Sequence, residues 1–148
     1  MIDKEFRNLI EEIGEALGQD AFGVQDDNCM ALIDGMLVTL QCLPRIGRIL
    51  LLCPLMRMGA SNRESIFEGL LTSQLLFGET RGATFARDPD TDDIFLQQML
   101  PMSEMTSENL LLRMKAVVKT AKEFRERYHD LVNAELDYFM LSQTALRV

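Results

Sequence analysis

The sequence predicts an α+β fold in which helices pack an antiparallel sheet, in the order helix, three strands, helix, two strands, helix. Three observations lead there. The apolar residues change from helical spacing to strand-like runs after Asn28, an Asp34-Gly35 pair separates two of those runs, and a long helical stripe follows Thr106. With 148 residues the chain fits one domain, 1–148, with a core over about 3–132 and a C-terminal extension at 133–148. A chain of this size buries roughly two-thirds of the surface its unfolded form exposes, so it needs no disulfide or metal to fold.

Each element has its own warrant. From Asp3 to Leu17, Phe6, Leu9, Ile10, Ile13 and Leu17 fall at helical spacing with charges opposite, and Gly18 is a C-terminal stop. Gln19 to Asn28 reads as loop. Cys29–Ile33 and Met36–Leu43 are apolar runs joined by Asp34-Gly35, a pair suited to a type I′ turn because both central residues need positive φ. Pro44–Gly47 makes a second turn into a third run, Arg48–Met58. Pro54 lacks an N–H, which predicts a free edge or a bulge at that point.

Gly59 to Asn62 breaks the pattern, and Ser61 with Glu64 fits a capping box for a helix reaching Phe77, with Gly78 as its cap. Ile66, Phe67, Leu70, Leu71, Leu75, Leu76 and Phe77 spread around this helix beyond one stripe. A helix apolar on several sides needs cover on several sides, and a second subunit is the natural source. Ala83–Arg87 and Ile94–Met102 form a hairpin around the turn-rich 88–93 segment. Thr106 then caps a helix with Leu110, Leu111, Met114, Val117, Val118, Ala121, Phe124, Tyr128, Leu131 and Val132 as its stripe.

The formal charge of −8 argues against nucleic acid or an anionic membrane surface, both of which demand Lys and Arg. Residues 1–28 hold eight acids and two bases, whereas residues 109–148 hold seven bases and five acids. This asymmetry is read either as ordinary self-repulsion or as a surface matched to a basic or amphipathic polypeptide. Ten Met and no Trp suit adaptable apolar packing, in the core first of all. Cys29, Cys42 and Cys53 lie in separate apolar runs without nearby His, so they read as buried thiols in a reducing compartment. The first residues lack a signal-peptide pattern, and no apolar run approaches the ~20 residues that span a bilayer. The expected location is cytoplasmic, with no membrane insertion.

Catalytic and metal motifs fail one by one. Asp88, Asp90 and Asp92 start like a calcium loop, but its sixth and twelfth positions hold Asp93 and Met99 instead of Gly and Glu. His129 is the single histidine and sits among charged residues, with no nucleophile singled out for it. Gly78 to Gly82 lacks the Lys-Ser/Thr of a phosphate loop. The expectation is a non-enzyme with no catalytic, cofactor-binding or metal residue. What remains is apolar surface able to receive a partner's strand or helix.

Ile10, Ile13-Gly14 and Leu17-Gly18, the Asp34-Gly35 turn, and Ile94–Met102 ending at Leu100-Pro101 before Thr106 resemble the class I type III secretion chaperones, the family of the Tir chaperone. The resemblance covers about residues 3–132. It implies a homodimer through the second helix, with Ile66, Phe67, Leu70, Leu71 and Leu75 at the interface. It also implies that the N-terminal segment of a secreted effector is held extended, without ATP, on Leu9, Ile13 and Leu17 of the first helix and Ala31 and Ile33 of the first strand. Two other readings stand beside it. One is a regulatory protein of the same fold that sequesters a transcriptional regulator or anti-activator. The other is a small hydrolase or transferase using the Asp88–Asp93 carboxylates.

Overall fold

A computed structural model of the chain describes residues 4–18, 24–25 and 28–132. The expected extension at 133–148 lies outside the described residues. The elements are α1 (Lys4–Leu17), β1 (Val24–Gln25), β2 (Asn28–Ile33), β3 (Met36–Leu43), β4 (Arg48–Arg57), α2 (Arg63–Gln74), β5 (Thr84–Arg87), β6 (Asp93–Pro101) and α3 (Ser107–Tyr128). This is the expected order with one addition. The two-residue β1 falls inside the segment read as loop, and it is too short to leave an alternation.

All the strands pair antiparallel in one sheet of order β1-β2-β3-β4-β6-β5. Asp34 and Gly35 both adopt positive φ (51° and 77°), so the first hairpin turns as its sequence demands. Pro54 shows why β4 tolerates a proline. Pairing with β3 ends at Leu52, and between Pro54 and Met56 the register against β6 slips by one residue. The missing N–H therefore falls at a bulge beyond the β3 ladder.

Alternation assigns the two faces. Cys29, Ala31, Ile33, Met36, Val38, Leu40, Cys42, Ile49, Leu51, Cys53, Ile94, Leu96 and Leu100 are buried on the inner face. Phe6, Ile10 and Ile13 of α1 and Leu110, Met114, Val117, Val118, Ala121 and Phe124 of α3 close over them. Phe85 of β5 meets Phe124 edge to face at 5.0 Å between centroids. Thr106 caps α3 as expected, its Oγ1 accepting the Asn109 N–H at 3.1 Å. At the far end of the sheet the fully buried Asp93 carboxylate accepts from Arg57 Nε (2.6 Å) and Nη2 (3.1 Å), tying β4 to β6.

The second helix departs from its expected ends. Ser61 is not the cap. That place is taken by Asn62 in the left-handed conformation (φ 63°) with no side-chain cap bond, a conformation Asn tolerates. The helix stops at Gln74 and tightens into a single 3₁₀ turn over Leu75–Phe77. Gly78 is right-handed and not a left-handed cap. The positive φ values belong instead to Leu76 (56°) and Phe77 (57°).

At the crossing of α2 with α3, Gly69 lies against Tyr128, where an added Cβ would collide with the phenol hydroxyl. Gly69→Ala is expected to destabilise the fold by about 1–3 kcal/mol through overpacking, despite the roughly 1 kcal/mol that Ala gains over Gly in a helix. Tyr128→Phe removes the colliding oxygen, so the double variant should recover much of the loss. Denaturant melts of the three proteins measure this; equal midpoints for wild type and Gly69→Ala would refute the close crossing.

Candidate functional site

Three surfaces compete for a functional role: the flank of α1, the outer side of α2, and the outer face of the sheet. On α1, Ile13 is fully buried, while Leu9 and Leu17 are half-buried at the margin of the core. Ala31 and Ile33 of β2 point to the inner face beneath the helices and are buried. Of the five expected effector anchors, Leu9 and Leu17 thus reach the surface. Ile13, Ala31 and Ile33 form the floor behind them. Period alone placed all five on apolar stripes, but it did not say which edge of the stripe the helix leaves uncovered.

The five expected interface residues of α2 divide in the same way. Ile66 and Leu70 face the core and are buried. Phe67 is half-buried, with the Arg63 guanidinium 5.3 Å above its ring. Leu71 and Leu75 project into solvent at 69% and 70% exposure. Two residues outside the expected set continue this patch, Leu76 at 88% and Phe77 at 49%. Their signal in the sequence is the unbroken Leu75-Leu76-Phe77 run, whose exposure follows from the left-handed turn.

The C-terminal end of α2 also closes a sheet edge. Gln74 Oε1 accepts the Phe85 N–H of β5 at 2.8 Å, so a backbone donor on the outermost strand is already occupied. The connecting segment is held on α3 by two arginines. Arg81 donates to Glu123 (3.0 Å) and Thr120 Oγ1 (2.8 Å), and Arg127 donates to Glu79 (3.1 Å) and Ser73 Oγ (3.2 Å).

Among the described residues no helix comparable to α3 lies on the outer sheet face. Leu52 and Phe95 form a small cluster of their own there, with Leu32 and Met99 about half exposed. The register places Leu32 opposite Leu37 and Leu50 opposite Met99. Runs such as Ile49-Leu50-Leu51-Leu52 announced this, since a strand apolar at both parities calls for cover on both faces.

The acidic turn has structural employment. Asp92 accepts from Arg63 and from Arg87 Nε (2.7 Å), and these guanidinium bonds pull its carboxyl down to about 2. Asp93 is consumed by Arg57, and the Asp88 carboxylate accepts the Asp90 N–H at 2.9 Å. The Asp88, Asp92 and Asp93 carboxylates thus hold the turn and its neighbours together. Among the described residues no three His, Cys, Asp or Glu side chains gather as a metal would require. No helix among them is long and apolar enough to cross a membrane.

Residues 8–125 match the profile of the Tir chaperone protein (CesT) family. The chain belongs to that family. None of the curated proteins matches it by sequence. Among solved structures it is similar to a chain of the ExsC–ExsE complex (TM-score 0.68, 22% identity, covering 86% of this chain and 94% of that one). It is similar as well to one of the HopA1–SchA chaperone–effector complex (TM-score 0.67, 19% identity, 82% and 94%). A third is from the complex of the Yersinia pestis type III secretion chaperone SycH with a stable fragment of YscM2 (TM-score 0.63, 16% identity, 80% and 98%). At these identities the likeness establishes a shared fold, and the chain spans nearly the whole length of each relative.

The three cysteines are buried thiols outside any disulfide, and burial pushes the Cys29 and Cys53 thiols up to about 12. A thiol reagent at pH 8 is expected to leave Cys29 and Cys53 unmodified in the native protein and to modify them on unfolding. Rapid native labelling of either, read by mass spectrometry, would contradict their placement.

Proposed function

We propose that this protein is a cytoplasmic, non-enzymatic chaperone that acts as a homodimer. It holds the N-terminal segment of a type III secreted effector extended, without nucleotide. The observation that carries the reading is membership of the Tir chaperone family on a scaffold with exposed apolar side chains on and just after α2, at the margin of α1, and at Leu32 and Met99 of the outer sheet face. The structural relatives named above include a chaperone–effector complex and a secretion chaperone bound to a protein fragment, which supports the same reading.

The mechanism is thermodynamic. An extended segment loses conformational entropy when it is held, so it must bury many apolar side chains over a long path. Leu9 and Leu17 are the α1 positions offered to it, backed by Ile13, Ala31 and Ile33. The protomer contact falls to Leu71 and Leu75, with Phe67 at its margin and Leu76 and Phe77 extending it; Ile66 and Leu70 support it from within. Burying a leucine or phenylalanine contributes roughly 1.5–3 kcal/mol. Four exposed residues on each of two symmetric protomers therefore supply a gain of the same order as the roughly 4–15 kcal/mol of freedom lost on association.

Replacing Leu71 and Leu75 together by Asp should convert the dimer to monomer at micromolar concentration in light scattering, with helical circular dichroism retained, because an unpaired buried carboxylate is costly. Leu9→Asp with Leu17→Asp should leave the dimer intact and lower cargo capture at least tenfold. Mass spectrometry of polypeptides co-purifying from the native host identifies the cargo. A secreted protein captured through its N-terminal segment upholds the proposal, whereas capture of a transcriptional regulator favours the regulatory alternative. Undiminished capture by the α1 variant would sink the assignment of Leu9 and Leu17.

A further inference from the structure

The α2 helix has an awkward beginning. Its capping position is Asn62 in the left-handed region, with no side-chain bond to the first turn. Its first residue is a cation, Arg63, which the partial positive charge of a helix N-terminus disfavours. Helix ends of this kind fray unless something outside holds them.

Asp92 supplies that hold from the β5–β6 turn, 29 residues away in sequence. Its carboxylate accepts both terminal nitrogens of Arg63, Nη2 at 3.2 Å, while Arg63 Nη1 also donates to the Gly59 carbonyl at 3.2 Å. Its backbone carbonyl accepts the Met58 N–H at 3.0 Å. One residue thus grips the connection between β4 and α2 at both ends, 58 and 63. Asp92 is itself fixed: its N–H donates to the Asp88 carbonyl at 2.8 Å, Arg87 anchors its carboxylate to β5, and its φ is 64°. Among the acidic residues Asp is the one that adopts that conformation readily, so position 92 asks for a left-handed backbone and a short carboxylate together. On the other side of the fork, Arg63 lies over Phe67, and Arg63, Phe67 and Leu71 follow each other at four-residue steps along one side of α2, with Leu75 opening the 3₁₀ turn next after it.

We propose that Asp92, outside the α2 surface, is the positioning residue that fixes the start of α2 and so aligns Leu71 and Leu75 for the protomer contact. This rests on the reading of Leu71 and Leu75 as that contact. Asp92→Asn keeps the backbone preference and the bonds to Met58 and Asp88 but removes the charge that gathers Arg63. Asp92→Gly keeps the backbone alone and serves if the first variant folds poorly. Asp90→Asn, in the same turn without a bond to α2, is the control.

The expected result for Asp92→Asn is a dimer dissociation constant raised about tenfold, with Asp90→Asn unchanged. Amide exchange at Ile66 and Phe67 should also quicken about tenfold, since those amides report opening of the first turn. The exchange comparison is repeated in the Leu71→Asp, Leu75→Asp background, where the same quickening is expected without any dimer. A lowered melting temperature with an unchanged dissociation constant would reduce Asp92 to a general structural role and overturn the proposal. Wild-type exchange in the first turn of α2 would overturn it too. If the Leu71→Asp, Leu75→Asp protein still dimerises, it is the contact reading that fails, and the exchange data still show whether Asp92 holds α2.

Discussion

The sheet brings an almost unbroken row of small and medium apolar side chains to its inner face, from Cys29 on β2 to Leu100 on β6, and no part of this fold persists unless that face is covered. α3 does most of the covering. Its buried stripe from Leu110 to Tyr128 crosses the sheet, and α1 lies alongside it, adding Phe6, Ile10 and Ile13. The position of α2 derives from this arrangement, because its inward residues Ile66 and Leu70 join the same core and Gly69 rests on Tyr128. Remove α3 and the first helix loses the element it lies beside, while the second keeps only its hold on β5.

The main core uses one face of the sheet and one side of each short helix, and only the small Leu52–Phe95 cluster is buried on the other face. The consequence is a molecule divided between what it needs for itself and what it leaves over. Val38, Leu51 and Leu96 are fully enclosed, yet Leu32 and Met99 on the opposite face are about half exposed. A sheet face that carries leucine and methionine in place of charges is costly to leave in water. The same holds for the α2 patch. These leftovers are the surfaces on which the proposed binding and pairing rest.

Much of this was legible in the sequence, and the reasons are local. Asp34-Gly35 dictated a turn through the φ values of two adjacent residues, Pro54 dictated a ladder defect through a missing N–H, and Thr106 dictated a helix start through one hydroxyl. Each is a property of a few neighbouring atoms. What stayed hidden depended on distant partners. The apolar residues of α2 pointed to cover on several sides, but that Ile66 faces inward and Leu71 outward follows from how the helix sits on the core, which involves elements far along the chain. The α1 anchors posed the same problem, with Leu9 at the margin and Ile13 beneath. The fork from Asp92 to Arg63 leaves no periodic trace, and its carboxylate looked at first like part of a calcium loop.

The bond from Gln74 to the Phe85 N–H has a meaning for how assemblies of this protein end. A sheet with an open outer strand can accept an identical sheet, and then another, without limit. Here a side-chain amide fills a backbone position at that margin, so stacking copies edge to edge begins with breaking a bond already made. Growth through that donor is discouraged by the chain's own geometry. At this margin, then, one amide oxygen weighs against a filament.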